Sequence, residues 1–131
     1  MDNRLKIGIS QGDINGVGWE VILKIFSDNR MTELFTPVIY GSSTAAAYYQ
    51  KRLNDIEPVK FMVVDGAESA QQGRVNLVEC GAKELSVTPG KPSKVGGEAA
   101  AAALTKAIEE LKAGAIDAMV TAPIDKEMAQ S

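Results

Sequence analysis

The sequence predicts an α/β protein built on a mostly parallel sheet with flanking helices. Two observations predict this. Short apolar runs alternate along the chain with segments of helical periodicity, which is the signature of repeated strand–helix units. No internal repeat and no linker breaks the alternation, so the 131 residues read as a portion of one domain.

The elements follow in order. Residues 4–10 (RLKIGIS) form a first strand, and 16–28 (GVGWEVILKIFSD) a helix whose apolar face is Val17, Val21 and Ile25 with Ile22 and Phe26 beside them. Residues 36–41 (TPVIYG) are a second strand. A helix over 42–55 follows, with Ser42 or Ser43 as its N-cap. Residues 58–66 and 74–80 are strands three and four, the latter with Val75, Leu77 and Glu79 alternating against Asn76 and Val78. Segment 83–97 is rich in Gly, Pro, Ser and Lys and reads as irregular. The alanine-rich run 98–114 is the strongest helix, with Leu104, Ile108 and Leu111 as its apolar stripe, Lys106 and Glu110 as an exposed pair, and Gly114 as its stop. Residues 115–122 read as a buried strand, with Asp117 a turn residue before its core, and Pro123 opens a further helix. That helix is only begun at Ser131, so the chain reads as an N-terminal fragment.

Composition narrows the function. Hydrophobic residues are 45% and charged residues 24%, the proportions of a globular domain. A net charge of −3 provides no global basic field for nucleic acid or an anionic membrane. No apolar run reaches the roughly 18–20 residues of a membrane span, no signal peptide opens the chain, and a cytoplasmic location is the expectation. Cys80 is the single cysteine and reads as a small buried hydrophobe. The chain has no histidine, which excludes a Ser-His-Asp triad or a His-based metal site within it.

Ligands of open α/β sheets bind beyond the carboxyl ends of the strands, and three segments arrive there. The first, QGDINGVGWE, places Gly12, Gly16 and Gly18 between a strand and a helix. It fits neither the G-x-G-x-x-G fingerprint nor the P-loop pattern. It is either a tight turn braced by Asp13 or a backbone cradle for an anion at a helix start. The second carries Lys91 and Lys94 before Gly96 and Gly97, as a basic ligand loop or a solvated one. In the third, Thr121 ends a strand and Lys126 falls in the first turn of the Pro123 helix. The helix dipole opposes a cation there. Lys126 either reaches an anionic ligand or is compensated by Asp125 and Glu127. Trp19, the single tryptophan, reads as packing.

Taken together, these segments resemble the 4-hydroxythreonine-4-phosphate dehydrogenase family of pyridoxal phosphate biosynthesis. The family pattern G-[DE]-P-A-G-I-G-P-[DE] is matched by GDINGVGWE, with Gly12, Asp13, Gly16, Gly18 and Glu20 in place. A later pattern ending D-A-[LIM]-V-T-[AG]-P-[IV]-[NH]-K is matched through DAMVTAPIDK. Three positions depart from the patterns: Ile14 and Trp19 replace prolines, and Asp125 stands where Asn or His is usual.

The resemblance implies part of an isocitrate/isopropylmalate dehydrogenase-like fold, two α/β domains around a cleft in a homodimer, with the second domain outside this chain. It implies NAD-dependent oxidation of 4-phosphooxy-threonine, a small phosphorylated amino acid, followed by decarboxylation. A divalent metal ion (zinc, magnesium or cobalt) held by histidines would polarise the alcohol oxygen. Those histidines lie beyond Ser131, so the resemblance assigns no metal ligand and no catalytic residue here. The chain alone is expected to be inert and to bind neither NAD nor metal. Gly12, Asp13, Gly16, Gly18, Thr121 and Lys126 are the candidate cleft-lining or ligand-binding residues. Two rival readings remain: a related dehydrogenase of an unphosphorylated hydroxy acid or cis-dihydrodiol, and a stand-alone binding module without chemistry.

Overall fold

The computed structural model describes residues 5–11, 18–28, 30–53, 57–80 and 94–121, with 94–100 described by backbone course alone. Its elements are β1 (Lys6–Ser10), α1 (Gly18–Phe26), α2 (Met31–Leu34), β2 (Thr36–Gly41), α3 (Ser43–Arg52), β3 (Phe61–Val64), a 3-10 turn (Ala67–Ser69), β4 (Val75–Glu79), α4 (Lys94–Lys112) and β5 (Ala118–Thr121). The expected starts of strand one and of the first helix, residues 83–93 and the Pro123 helix lie outside the described residues.

The strands form one sheet in the order β3-β4-β2-β1-β5, and each pairing is parallel. The predicted α/β class therefore holds. β2 and β4 are flanked by strands on both sides and covered on both faces. That is why TPVIYG is buried along its whole length and why β4 buries Asn76 and Val78 as well as Val75 and Leu77. One core cluster joins α1 and α3 to Ile39, Val75 and Leu77 on one face of the sheet. A second seats Ala103 and Ala107 of α4 over Val38, Tyr40 and Val78 on the other.

The helices bury other stripes than expected. On α1 the buried set is Trp19, Ile22, Leu23 and Phe26, which is one continuous helical face. Val21 and Ile25 fall on its flank and are exposed. On α4, Ala103 and Ala107 are buried, Leu104 and Leu111 half-buried, and Ile108 exposed. Tyr40 fills the space beneath, so small residues seat the helix close to the sheet. Glu110, read as solvent-facing, is half-buried, and its carboxylate accepts the Ala67 amide at 3.1 and 3.2 Å.

α4 also starts earlier than expected, at Lys94, so residues 94–97 are helical despite two glycines. Each costs about 1 kcal/mol in a helix, and propagation from the alanine run that follows offsets it. The helix stops as read. Gly114 takes φ +81°, with Ala115 N donating to Glu110 O at 2.9 Å and Gly114 N to Leu111 O at 3.1 Å. The last strand corrects the sequence reading: β5 is four residues long, lies at the sheet edge and exposes Ala118, Val120 and Thr121. Asp117 closes the turn before it. Its amide donates to Lys6 O at 2.8 Å, and its Oδ2 accepts from Lys6 N at 2.8 Å.

Candidate functional site

Parallel strands send all their carboxyl ends to one edge, and the register shows which ends meet there. Ser10 pairs with Tyr40 on one side and with Thr121 on the other, and Gly41 pairs with Glu79. The end of β5 is thus brought beside the turn that leaves β1. α1, α3 and α4 begin at this same edge, because each follows a strand end and returns antiparallel to it.

Of the sequence-predicted site residues, Gly18 is the buried first residue of α1 and Thr121 is the exposed last residue of β5. Gly12, Asp13, Gly16 and Lys126 lie outside the described residues, as does Lys91. Lys94 is the first residue of α4.

What the sequence reading missed is the polar cluster beneath the edge. Gln11 is fully buried, and its Oε1 accepts from Trp19 Nε1 at 2.8 Å and from Ser42 N at 2.9 Å. Its own amide donates to Tyr40 O at 3.0 Å. One amide oxygen thereby ties the start of α1 and the start of α3 to the ends of β1 and β2. The approach is close: a Cβ on Gly41 would stand 2.7 Å from Gln11 Oε1, so only glycine admits the buried amide at that position. Ser42 then caps α3 through its Oγ, which accepts from Ala45 N at 3.2 Å. This settles which of the two serines is the N-cap.

Glu79 meets the same helix start, its carboxylate accepting from Ser43 N at 3.1 and 3.3 Å. An anionic side chain thus complements the positive end of the α3 dipole. The only signal for this cluster in the sequence was a glutamine and a tryptophan bracketing the glycine run. Their partnership depends on the chain folding back on itself.

Trp19 is packing, as read, and stacks edge-on against Phe61 at 5.9 Å and 86°. Ser10 is fully buried at the end of β1, and its hydroxyl has no hydrogen-bond partner among the described residues. Among the described residues no group of three or more His, Cys, Asp or Glu is placed to hold a metal ion, and the chain contains no histidine. The described residues therefore form no metal centre of their own.

On the α4 side of the edge, burial pushes the Cys80 thiol up from 9.0 to about 11, a rise that Lys106 opposes. Cys80 is buried, as expected, and its Sγ donates to Val78 O at 3.3 Å. Burial, then the neighbouring Glu110 carboxylate, raises the Tyr40 phenol far above its ordinary value. Both groups are held neutral by the fold. The stability they contribute is complete below the unfolded pKa values and is lost as pH rises through the folded ones. Unfolding midpoints in urea are expected to be level through neutral pH and to fall between pH 9.0 and about 11. Cys80→Ala should blunt the first part of that fall, and an unchanged alkaline limb in this variant would contradict the assignment.

Comparison with known proteins places this geometry. The sequence model of the family described as “Pyridoxal phosphate biosynthetic protein PdxA” matches residues 33–131. The chain is 51% identical to a 4-hydroxythreonine-4-phosphate dehydrogenase of Bacteroides thetaiotaomicron over 99% of its own length and 35% of that protein's. It is 29% identical to a D-threonate 4-phosphate dehydrogenase of Cupriavidus necator, over 92% of the chain and 36% of that protein. The crystal structure of a 4-hydroxythreonine-4-phosphate dehydrogenase from Burkholderia phymatum superposes with a TM-score of 0.83 at 26% identity, over 98% of the chain and 39% of that structure. The chain thus spans between a third and two-fifths of the length of these relatives.

Proposed function

Because the chain belongs to the PdxA family of pyridoxal phosphate biosynthetic proteins, we propose that it forms the N-terminal part of a 4-hydroxythreonine-4-phosphate dehydrogenase. The observation that carries this reading is the 51% identity to the Bacteroides thetaiotaomicron enzyme along 99% of the chain. The whole enzyme would oxidise the secondary alcohol of 4-phosphooxy-threonine ahead of decarboxylation. NAD would supply the hydride acceptor and a divalent ion the Lewis acid. Both would be held by residues outside this chain.

What this chain contributes, in that reading, is one wall of the cleft. Gly12, Asp13, Gly16 and Gly18 would line that wall, and Thr121 stands beside the end of β1 because β5 pairs with β1. Backbone amides at the start of α1 would favour the anionic phosphate of the substrate, and Lys126 would add a positive charge. The buried Gln11 amide would hold that wall in place from beneath. The proposal extends to a homodimeric, cytoplasmic enzyme. No described helix is long and apolar enough to cross a membrane.

The test is a chimaera that joins residues 1–131 to the remaining length of the Bacteroides relative. With a divalent metal and 4-phosphooxy-threonine it is expected to reduce NAD, while the 131-residue chain alone yields no NADH. D-Threonate 4-phosphate, the substrate class named for the Cupriavidus relative, should be the poorer substrate. A chimaera active only on unphosphorylated hydroxy acids or dihydrodiols would replace the reading. NADH formation by the isolated chain would overturn the assignment of catalysis to the missing part.

A further inference from the structure

We propose that Gln11 is a positioning residue for substrate binding. Its buried side-chain oxygen sets the first turn of α1 against the start of α3, and so fixes the wall that meets the phosphorylated substrate. The inference deepens the dehydrogenase reading and rests on it for the identity of that substrate.

Gln11 follows the last residue of β1 at the carboxyl edge and is 0% exposed, so it acts through the backbone it holds and not by contact with a ligand. Its amide bond to Tyr40 O continues the β1–β2 pairing one residue past the strand. That fixes where its side chain enters the interior. A carbonyl oxygen offers two lone pairs, and Oε1 meets two donors, Trp19 Nε1 and Ser42 N, from positions 8 and 31 residues along the chain. The surroundings are built to this oxygen. A Cβ on Gly41 would stand 3.0 Å from Cβ and Cδ of Gln11 as well as 2.7 Å from Oε1. Trp19 is fully buried with its ring edge-on to Phe61, so the indole has no room to follow a displaced acceptor. Ser42 is buried too, and it caps α3.

Trp19 lies in the first turn of α1, and the leading backbone amides of a helix have no partner within it. In the dehydrogenase reading these amides meet the phosphate of the substrate. A misplacement of about 1 Å in groups that position a substrate is already costly. The family pattern has proline at position 19, where a fixed φ sets the entry to the helix and no side-chain donor exists. This chain has tryptophan there. The bond from its indole to Gln11 achieves by side-chain contact what the proline ring achieves by covalent geometry. Gln11 and Trp19 are therefore one device, and the acceptor carries the second helix start with it.

Two variants of the chimaera test this. Trp19→Phe deletes one donor and leaves the Ser42 bond, while Gln11→Met deletes the acceptor for both. The KM for 4-phosphooxy-threonine is expected to rise about threefold in the first and about tenfold in the second, the scale of one and two buried hydrogen bonds only partly replaced. Turnover and the KM for NAD should stay within about twofold of the parent, the pattern of lost binding without lost chemistry. A merely structural role would instead lower the folded fraction, so a fall in kcat at unchanged KM would overturn the proposal. Hydrogen exchange gives a readout that needs no activity, with Ala107 of α4 reporting the general loss of stability. Trp19→Phe should speed exchange at Ile22 and Leu23, whose amides bond back to the first residues of α1, by a larger factor than at Ala107. Gln11→Met should do so there and at Ala45, the amide capped by Ser42. Acceleration no greater than at Ala107 would equally overturn the proposal. A parent chimaera that leaves the phosphorylated substrate unchanged would fail the dehydrogenase reading alone, and the exchange rates would still decide whether Gln11 sets both helix starts.

Discussion

Replacing Trp19 with alanine is expected to remove about 3–5 kcal/mol of stability, the range for truncating a fully buried large aromatic. The indole is 0% exposed, stacks on Phe61 and donates to Gln11 Oε1 at 2.8 Å. Trp19→Phe separates these contributions. It keeps a ring in the core and deletes the donor, while Gln11 Oε1 retains Ser42 N. Its loss is expected to be about 1–2 kcal/mol, the scale of one buried hydrogen bond plus a small volume defect. Circular dichroism in urea is the measurement, because Trp19 is the single tryptophan and its removal silences the fluorescence. Equal costs for the two substitutions would show that the hydrogen bond, and not the packing, dominates. A loss below about 1 kcal/mol for alanine is outside what burial of such a ring permits.

The second large effect is expected at Asn76, in the middle of the sheet. Its side chain is fully buried. Nδ2 donates to Pro37 O at 3.1 Å, Gln71 O at 3.0 Å and Arg74 O at 3.2 Å, and Oδ1 accepts from Gln71 N at 2.8 Å. One amide thus pins the turn before β4 and reaches the neighbouring strand. Asn76→Leu roughly preserves volume but deletes these bonds, of which the one to Pro37 O is buried, at about 1–3 kcal/mol for an interior polar group left unpaired.

Asn76→Asp is the sharper variant. It keeps the acceptor and turns a carboxylate toward three carbonyl oxygens, so its pKa in the folded state must rise above the ordinary carboxylate value. The sign follows: the added penalty is small while the group is protonated in both states, and it grows as pH rises above the unfolded pKa. Urea midpoints for Asn76→Asp should therefore approach those of the parent chain toward pH 4 and diverge by pH 7. A pH-independent loss would mean that the carboxylate finds a donor.

The contrast between legible and illegible features runs along physical lines. TPVIYG was readable as a strand to the residue, because its apolar run is short and stops at Gly41. Gly114 was readable as a helix stop because the left-handed conformation it takes is a local demand. α2 and the 3-10 turn at Ala67–Ser69 were not readable, each being too short to show a period. The start of α4 at Lys94 was hidden by two glycines whose local cost is outweighed by cooperativity along the helix.

Of the candidate site, the segments were legible and their neighbours were not. The glycine run, the end of β5 and the family they resemble are properties of local order. That Thr121 lies against Ser10 follows from the strand order, which places the fifth strand beside the first. That Gln11 serves Trp19 and Ser42 at once follows from residues 31 apart in sequence meeting at a buried acceptor. The sequence by itself determined the α/β class, most elements and the family, since periodicity, capping and motif order are written in neighbouring residues. Only the tertiary structure decided which helical faces are buried, that β5 is an edge, and which side chains share the carboxyl edge. Each of those depends on contacts between residues far apart in the chain, and local pattern carries no information about which distant surface will arrive to cover it.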